Sequence, residues 1–147
     1  MPLQNLAKIG RLHPHETTPE EIRRLLAAAE RNLKDARLKA NSPETRFDCA
    51  YKAIMQCALV AMMANGFRPA THEPGHHQTM IQSLPLTLGI SNDTWIVLDG
   101  LRKKRNQSDY TGAPTAQAEV SEGINQATAL LSAVRVYINS KRPDLLG

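Results

Sequence analysis

Only two cysteines occur in the 147 residues, and no cysteine cluster accompanies either of them. Cys49 and Cys57 fall in a stretch that reads as one helix, which sets them about 12 Å apart at the ordinary helical rise. That is too far for a disulfide. Both are expected as reduced, buried thiols filling small gaps, with no redox or nucleophilic duty. No uninterrupted apolar run approaches the length of a membrane span, so no membrane partner is expected. The opening Met1-Pro2-Leu3-Gln4-Asn5 lacks the basic segment and apolar stretch of a secretory leader, which makes the cytoplasm the expected compartment. Also missing are a convincing period-two alternation, an internal repeat, a low-complexity tract and a domain linker. Those absences leave helices as the building material.

What is present is an ordinary hydrophobic share, 41%, in a chain of one domain's length. That is enough to bury a real core and argues against wholesale disorder. The net charge is +4, which is compatible with a nucleic-acid partner and does not establish one. Its distribution says more than its sum, because Arg102-Lys103-Lys104-Arg105 packs four cations into one helical turn.

The helix punctuation is clear. Residues 1–17 read as an N-terminal arm with a turn of helix near Leu3–Leu12, and residues 18–147 as the bundle. Thr18-Pro19-Glu20-Glu21 supplies an N-cap, a proline at the first helical position and a glutamate at the third, the pattern of a capping box. Ile22, Leu25, Leu26, Ala29, Leu33 and Ala36 then recur at helical spacing, predicting a helix over 19–40. Ser42-Pro43-Glu44 opens a second helix and Asn65-Gly66 closes it. Its broad apolar stripe, from Phe47 and Tyr51 to Met62, marks it as the central helix, with Met62-Met63 as core filler. A short helix is expected over 76–84, another starting at the Asn92-Asp93 cap, and a last one over 115–141. Gly123 inside that last helix costs about 1 kcal/mol relative to alanine, so a close helix contact or a slight bend is expected there. The fold class is all-α, a four- to five-helix up-down bundle.

On the helix that carries the cations, Leu98, Leu101, Arg105 and Ser108 share one face, with Arg102 and Asp109 beside it. A core stripe therefore continues as charged and polar side chains, which need partners wherever they turn inward. Three readings are open. The helix emerges from the bundle and Arg105 with Asp109 forms an ordinary i,i+4 pair; a symmetric dimer closes over these groups; or they form a phosphate site in which Arg105 supplies bidentate recognition and Asn106 and Tyr110 neutral hydrogen bonds.

The string Leu101-Arg102-Lys103-Lys104-Arg105-Asn106-Gln107-Ser108-Asp109-Tyr110 resembles the signature of HEPN domains. The resemblance spans roughly residues 18–140 and includes the Tyr51-Lys52-Ala53 helix centre, the Asn65-Gly66 stop and the histidine-containing loop. It is strongest at Arg-Asn-x-x-Asp-Tyr and elsewhere rests on pattern and element order. It implies a helical bundle, a homodimer with the motifs facing each other across a cleft, and RNA or a nucleotide as partner. It further implies a metal-independent ribonuclease, often the toxin paired with a nucleotidyltransferase-type antitoxin, with no cofactor and no metal. In that chemistry arginine stabilises the pentavalent phosphate and a histidine moves the proton of the ribose 2′-hydroxyl or the leaving oxygen.

Arg105 and Asn106 match the first half of that motif. Tyr110 stands where the histidine would fall, and a phenol with a pKa near 10 is a poor general base, although its hydroxyl can position a phosphate. The catalytic set so implied is Arg105, Asn106, Asp109 and Tyr110, with Arg102, Lys103, Lys104, His76 and His77 as phosphate-binding residues. The other reading is a non-catalytic binding or dimerisation module for a nucleotidyltransferase or another protein. His72, His76 and His77 precede the basic helix, and each is open to a solvated loop or helix-start role, to catalytic use beside the motif, or to zinc. Pro74-Gly75 spoils the regular helical ligand spacing that zinc would use. His13 and His15 lie in the arm and point to no function.

Overall fold

Hydroxyl side chains set the starts of three of the long helices by accepting an otherwise free backbone N–H. Thr18 accepts from Glu21 N at 3.2 Å, Ser42 from Thr45 N at 3.1 Å and Ser91 from Thr94 N at 3.3 Å. In the computed structural model, which describes residues 2–146, the elements are α1 (Leu3–Lys8), β1 (Leu12–Pro14), α2 (Pro19–Ala36), α3 (Pro43–Ala64), β2 (Phe67–Pro69), α4 (His76–Gln82), α5 (Leu84–Thr87), α6 (Asn92–Thr111) and α7 (Gln117–Lys141), followed by a 3₁₀ turn (Pro143–Leu146). The fold is an all-α bundle carrying one two-stranded antiparallel ribbon.

Helix α3 is the axis. It packs along α2 on one side and α7 on another, and fourteen of its 22 residues are buried, so it has almost no solvent face. By length and composition α3 does reach the dimensions of a membrane span, contrary to the expectation from uninterrupted runs, and 72% of that window is buried inside the bundle. Its two thiols are unpaired, Cys57 buried and Cys49 partly so. Burial pushes Cys57 up to about 12 and raises Cys49 as well, which leaves both as poor nucleophiles. Gly123 of α7 faces Ala50 and Phe47 of α3. A β-carbon placed there would stand 3.3 Å from Ala50 Cβ, so the glycine allows the close helix contact.

Several boundaries differ from those the sequence predicts, each for a local reason. Helix α2 stops at Ala36 because Arg46, buried under it, donates from Nε to Ala36 O at 2.7 Å and satisfies a terminal carbonyl. The short helix after the loop breaks in two at Ser83, since Pro85 has no N–H with which to continue the first segment. Ser91 rather than Asn92 caps α6. Helix α7 begins two residues late, because Thr115 N donates to Glu44 Oε2 at 2.8 Å and Ala116 N to Glu119 Oε1 at 2.8 Å. The capping box at α2 is half built: Thr18 caps, but Glu21 turns its carboxylate to His15 Nε2 at 2.9 Å and Thr17 Oγ1 at 3.0 Å.

The arm is held through that same region. Leu12, His13 and Pro14 pair with Pro69, Arg68 and Phe67, and Leu3 and Leu12 are buried in the core. Gly66, at φ +90°, supplies the left-handed residue that turns the chain from α3 into β2.

Candidate functional site

Helix α6 enters the bundle at Leu98 and Leu101, both buried, and presents Arg105 one turn later. The guanidinium does not run into bulk solvent. Its Cζ lies 5.3 Å from the ring centroid of Tyr51 on α3, and Nε stands 3.4 Å from Asp48 Oδ1 and 3.2 Å from Asp109 Oδ2. These are ion-pair distances without an aligned hydrogen bond, and Nε is shielded from water. This inward-facing N–H is thus held by charge alone, a buried donor without a directed hydrogen bond.

Tyr51 joins the arginine to a histidine. The tyrosine is 2% exposed, and its hydroxyl is 3.1 Å from His77 Nδ1 at the start of α4. Burial pushes the phenol up to about 12, although the Arg105 and Arg102 cations pull the other way, so it stays protonated at neutral pH. Burial also pushes His77 below its ordinary 6.5, with His76, Arg105 and Arg102 adding to the effect. The imidazole is therefore neutral at pH 7. His76 meets it edge-on, with ring centroids 4.7 Å apart.

The other cations of the turn have separate work. Asp99, 7% exposed, takes Arg102 Nε at 2.8 Å and Lys103 at 3.6 Å. Lys104 donates to Pro114 O at 3.0 Å and pairs with Glu119 at 3.6 Å, fastening the loop before α7. Ser108 Oγ donates to Ala113 O at 2.8 Å in the same loop. Asn106 is partly exposed on α6, and Tyr110 is 88% exposed at its last turn. His72 stacks on His13 of the arm, with centroids 5.7 Å apart, rather than joining the cluster.

Of the residues expected from sequence, the structure thus brings Arg105, Asp109, His77 and, against His77, His76 together. Arg102 acts on the same group through its charge, and Tyr110 stands apart. Sequence reasoning did not assign site roles to Asp48 and Tyr51. The available signal was a tyrosine in an otherwise apolar stripe, whose buried hydroxyl needs a partner, with Asp48 one turn before it and Lys52 pairing Asp48 at 3.7 Å. No group of three or more His, Cys, Asp or Glu side chains that could hold a metal ion occurs among the described residues. No protein-family profile and no curated protein matches the chain.

Chemically, the cluster offers a cation and a neutral imidazole linked by a phenol. If His77 carries its proton on Nδ1 and donates to the Tyr51 oxygen, the Nε2 lone pair is free to accept a proton. In the other tautomer, Tyr51 donates to Nδ1 and Nε2–H is a donor. Counting Arg102, Lys103, Arg105 and Lys52 against Asp48, Asp99 and Asp109, the ion pairs carry four cations and three carboxylates. Both carboxylates on Arg105 meet it at Nε.

Proposed function

We propose that this is a HEPN-like protein with an RNA- or nucleotide-related function, a metal-independent ribonuclease of a toxin–antitoxin or defence system, with Arg105 and His77 as its phosphate-handling pair. One observation carries the reading: Arg105 lies over Tyr51, whose hydroxyl meets His77. An arginine and a neutral histidine, the two groups such cleavage needs, therefore share one wall although the motif itself ends in tyrosine. In this mechanism His77 Nε2 takes the 2′-hydroxyl proton. The 2′-oxygen attacks phosphorus, the bond to the 5′-oxygen breaks with the leaving oxygen taking its proton from water, the hydroxide so formed neutralises the His77 imidazolium, and a 2′,3′-cyclic phosphate results. Arg105 stabilises the charge on the pentavalent phosphorus. Asp48 and Asp109 hold the guanidinium at Nε. Asn106, partly exposed, and Tyr110, 88% exposed, are the groups that would meet a longer RNA or the second subunit of a homodimer.

The test is cleavage of a labelled single-stranded RNA in EDTA. Wild type is expected to cut it, and Arg105→Ala and His77→Ala to lose at least about 100-fold in rate with unchanged circular dichroism. Intact RNA with wild type, or equal cutting by Arg105→Ala, rejects the ribonuclease.

The second reading is a non-catalytic module that binds RNA, a nucleotidyltransferase-type partner or another copy of itself. The carboxylates on Arg105 and the outward Tyr110 favour it. Retarded but uncut RNA in the same experiment supports binding without chemistry.

A further inference from the structure

His76 and His77 also line a cavity that Arg105 and Tyr51 do not. It is a cavity of about 550 Å³ between the first turns of α2, the middle of α3, the β2 segment and the start of α4. That volume falls in the range of small-molecule sites, roughly 300–1,000 Å³. Its floor is apolar: Leu25, Met55, Leu59, Met63 and Met80. Three methionines give a soft surface that adapts to a ring and makes sulfur–aromatic contacts.

The rim is cationic. Arg24 and Arg68 both line the cavity, both are exposed, and neither has an ion-pair partner among the described residues. The one carboxylate there, Glu21, is already taken by His15 and Thr17. Gln56 accepts from Asn32 Nδ2 at 2.9 Å through Oε1, which leaves its amide N–H groups as donors at the cavity wall. Histidines aside, the cavity lining holds two guanidiniums and one carboxylate. The site therefore repels cations, and its arginine forks suit a carboxylate or a phosphate.

We propose that this cavity binds a small ring-bearing anion, the ring resting on the methionine floor and the carboxylate or phosphate on Arg24 and Arg68. The site is separate from the Arg105 cluster and touches it only through the His76–His77 pair, so it does not depend on the ribonuclease reading.

Titration of the full-length chain, labelled with ¹³C at its methionine methyl groups, tests this. The probes are 1-naphthoate, adenosine 5′-monophosphate and the neutral 1-naphthamide. Saturable shifts at Met55, Met63 and Met80 are expected with at least one anion. Naphthoate alone indicates a carboxylate ligand, and the nucleotide alone a phosphate ligand. Naphthamide is expected to bind at least about tenfold more weakly than naphthoate where naphthoate binds. The double variant Arg24→Gln/Arg68→Gln is expected to lose at least about tenfold in affinity for the binding anion, whereas Arg105→Ala leaves it unchanged. No saturable methyl shift with either anion up to about 10 mM overturns the site. Full affinity in the double variant, or naphthamide binding as well as naphthoate, overturns its anion specificity. Loss of binding in Arg105→Ala would show that the two sites are one.

Discussion

Helices α3 and α6 are of similar length, 22 and 20 residues, yet they meet the rest of the molecule in opposite ways. Helix α3 is buried almost all round, between α2 and α7. Helix α6 buries only Leu98, Asp99 and Leu101 and leaves Ile96, Val97 and Tyr110 exposed. Burial of apolar area holds α3 in place. Helix α6 docks over a short stretch and is then held by charge: Arg102 on Asp99 within the helix, Arg105 on Asp48 and Tyr51 of α3, and Lys104 on the start of α7. Stability is concentrated in one helix and reactive polarity in the other, and Tyr51 belongs to both. Its ring is core and its hydroxyl is site.

The largest expected effect lies at the centre of α3. Ile54, 1% exposed, truncated to alanine should cost about 3 kcal/mol by the lost burial and the cavity left behind, read from the urea midpoint. A cost no larger than that of an exposed position would erase the contrast between the helices. Smaller is the change at their junction. Tyr51→Phe keeps the ring under Arg105 and removes the bond to His77, for about 1 kcal/mol. The His77 imidazole resonances should move while those of His72 stay.

Acidification acts on the same junction more weakly, because His77 is only half-buried and solvent screens part of the effect. The native imidazole titrates below its ordinary 6.5, so the unfolded chain binds the proton more readily. Stability contributed by neutral His77 is present above pH 6.5 and is lost as pH falls from there through the native value. His77→Gln should flatten that part of the stability–pH curve; an unchanged slope would assign it to other groups. The smallest change is expected at Ile96, 56% exposed, where alanine should alter monomer stability by no more than about 0.5 kcal/mol. A larger loss that grows with protein concentration would instead place α6 in an interface between copies.

The long helices were legible because their signals are local. Thr18-Pro19 and Ser42-Pro43 start them, Asn65-Gly66 ends α3, and the apolar stripes name the buried faces. The ribbon was not legible, since three residues on each strand are too few to show an alternation, and their pairing brings together segments more than fifty positions apart. Within the site, Arg105 and Asp109 could be found from their spacing on one helix. Asp48 and Tyr51 could not, because helical spacing says which residues share a face and nothing about which face of another helix they meet.

By itself the sequence determined the all-α class, the long helices with their caps, the centrality of α3 and the clustering of four cations in one turn of α6. Each depends on contacts within a few residues along the chain, or on a periodicity of one helix. Only the tertiary structure decided that Arg105 turns onto Tyr51, that His77 arrives at the same hydroxyl from the far side of a loop, and that two free arginines rim a methionine-floored cavity. Those juxtapositions come from the docking of α2, the β2 segment, α4 and α6 on α3. Docking is set by the packing of whole faces, and no short run of sequence encodes it.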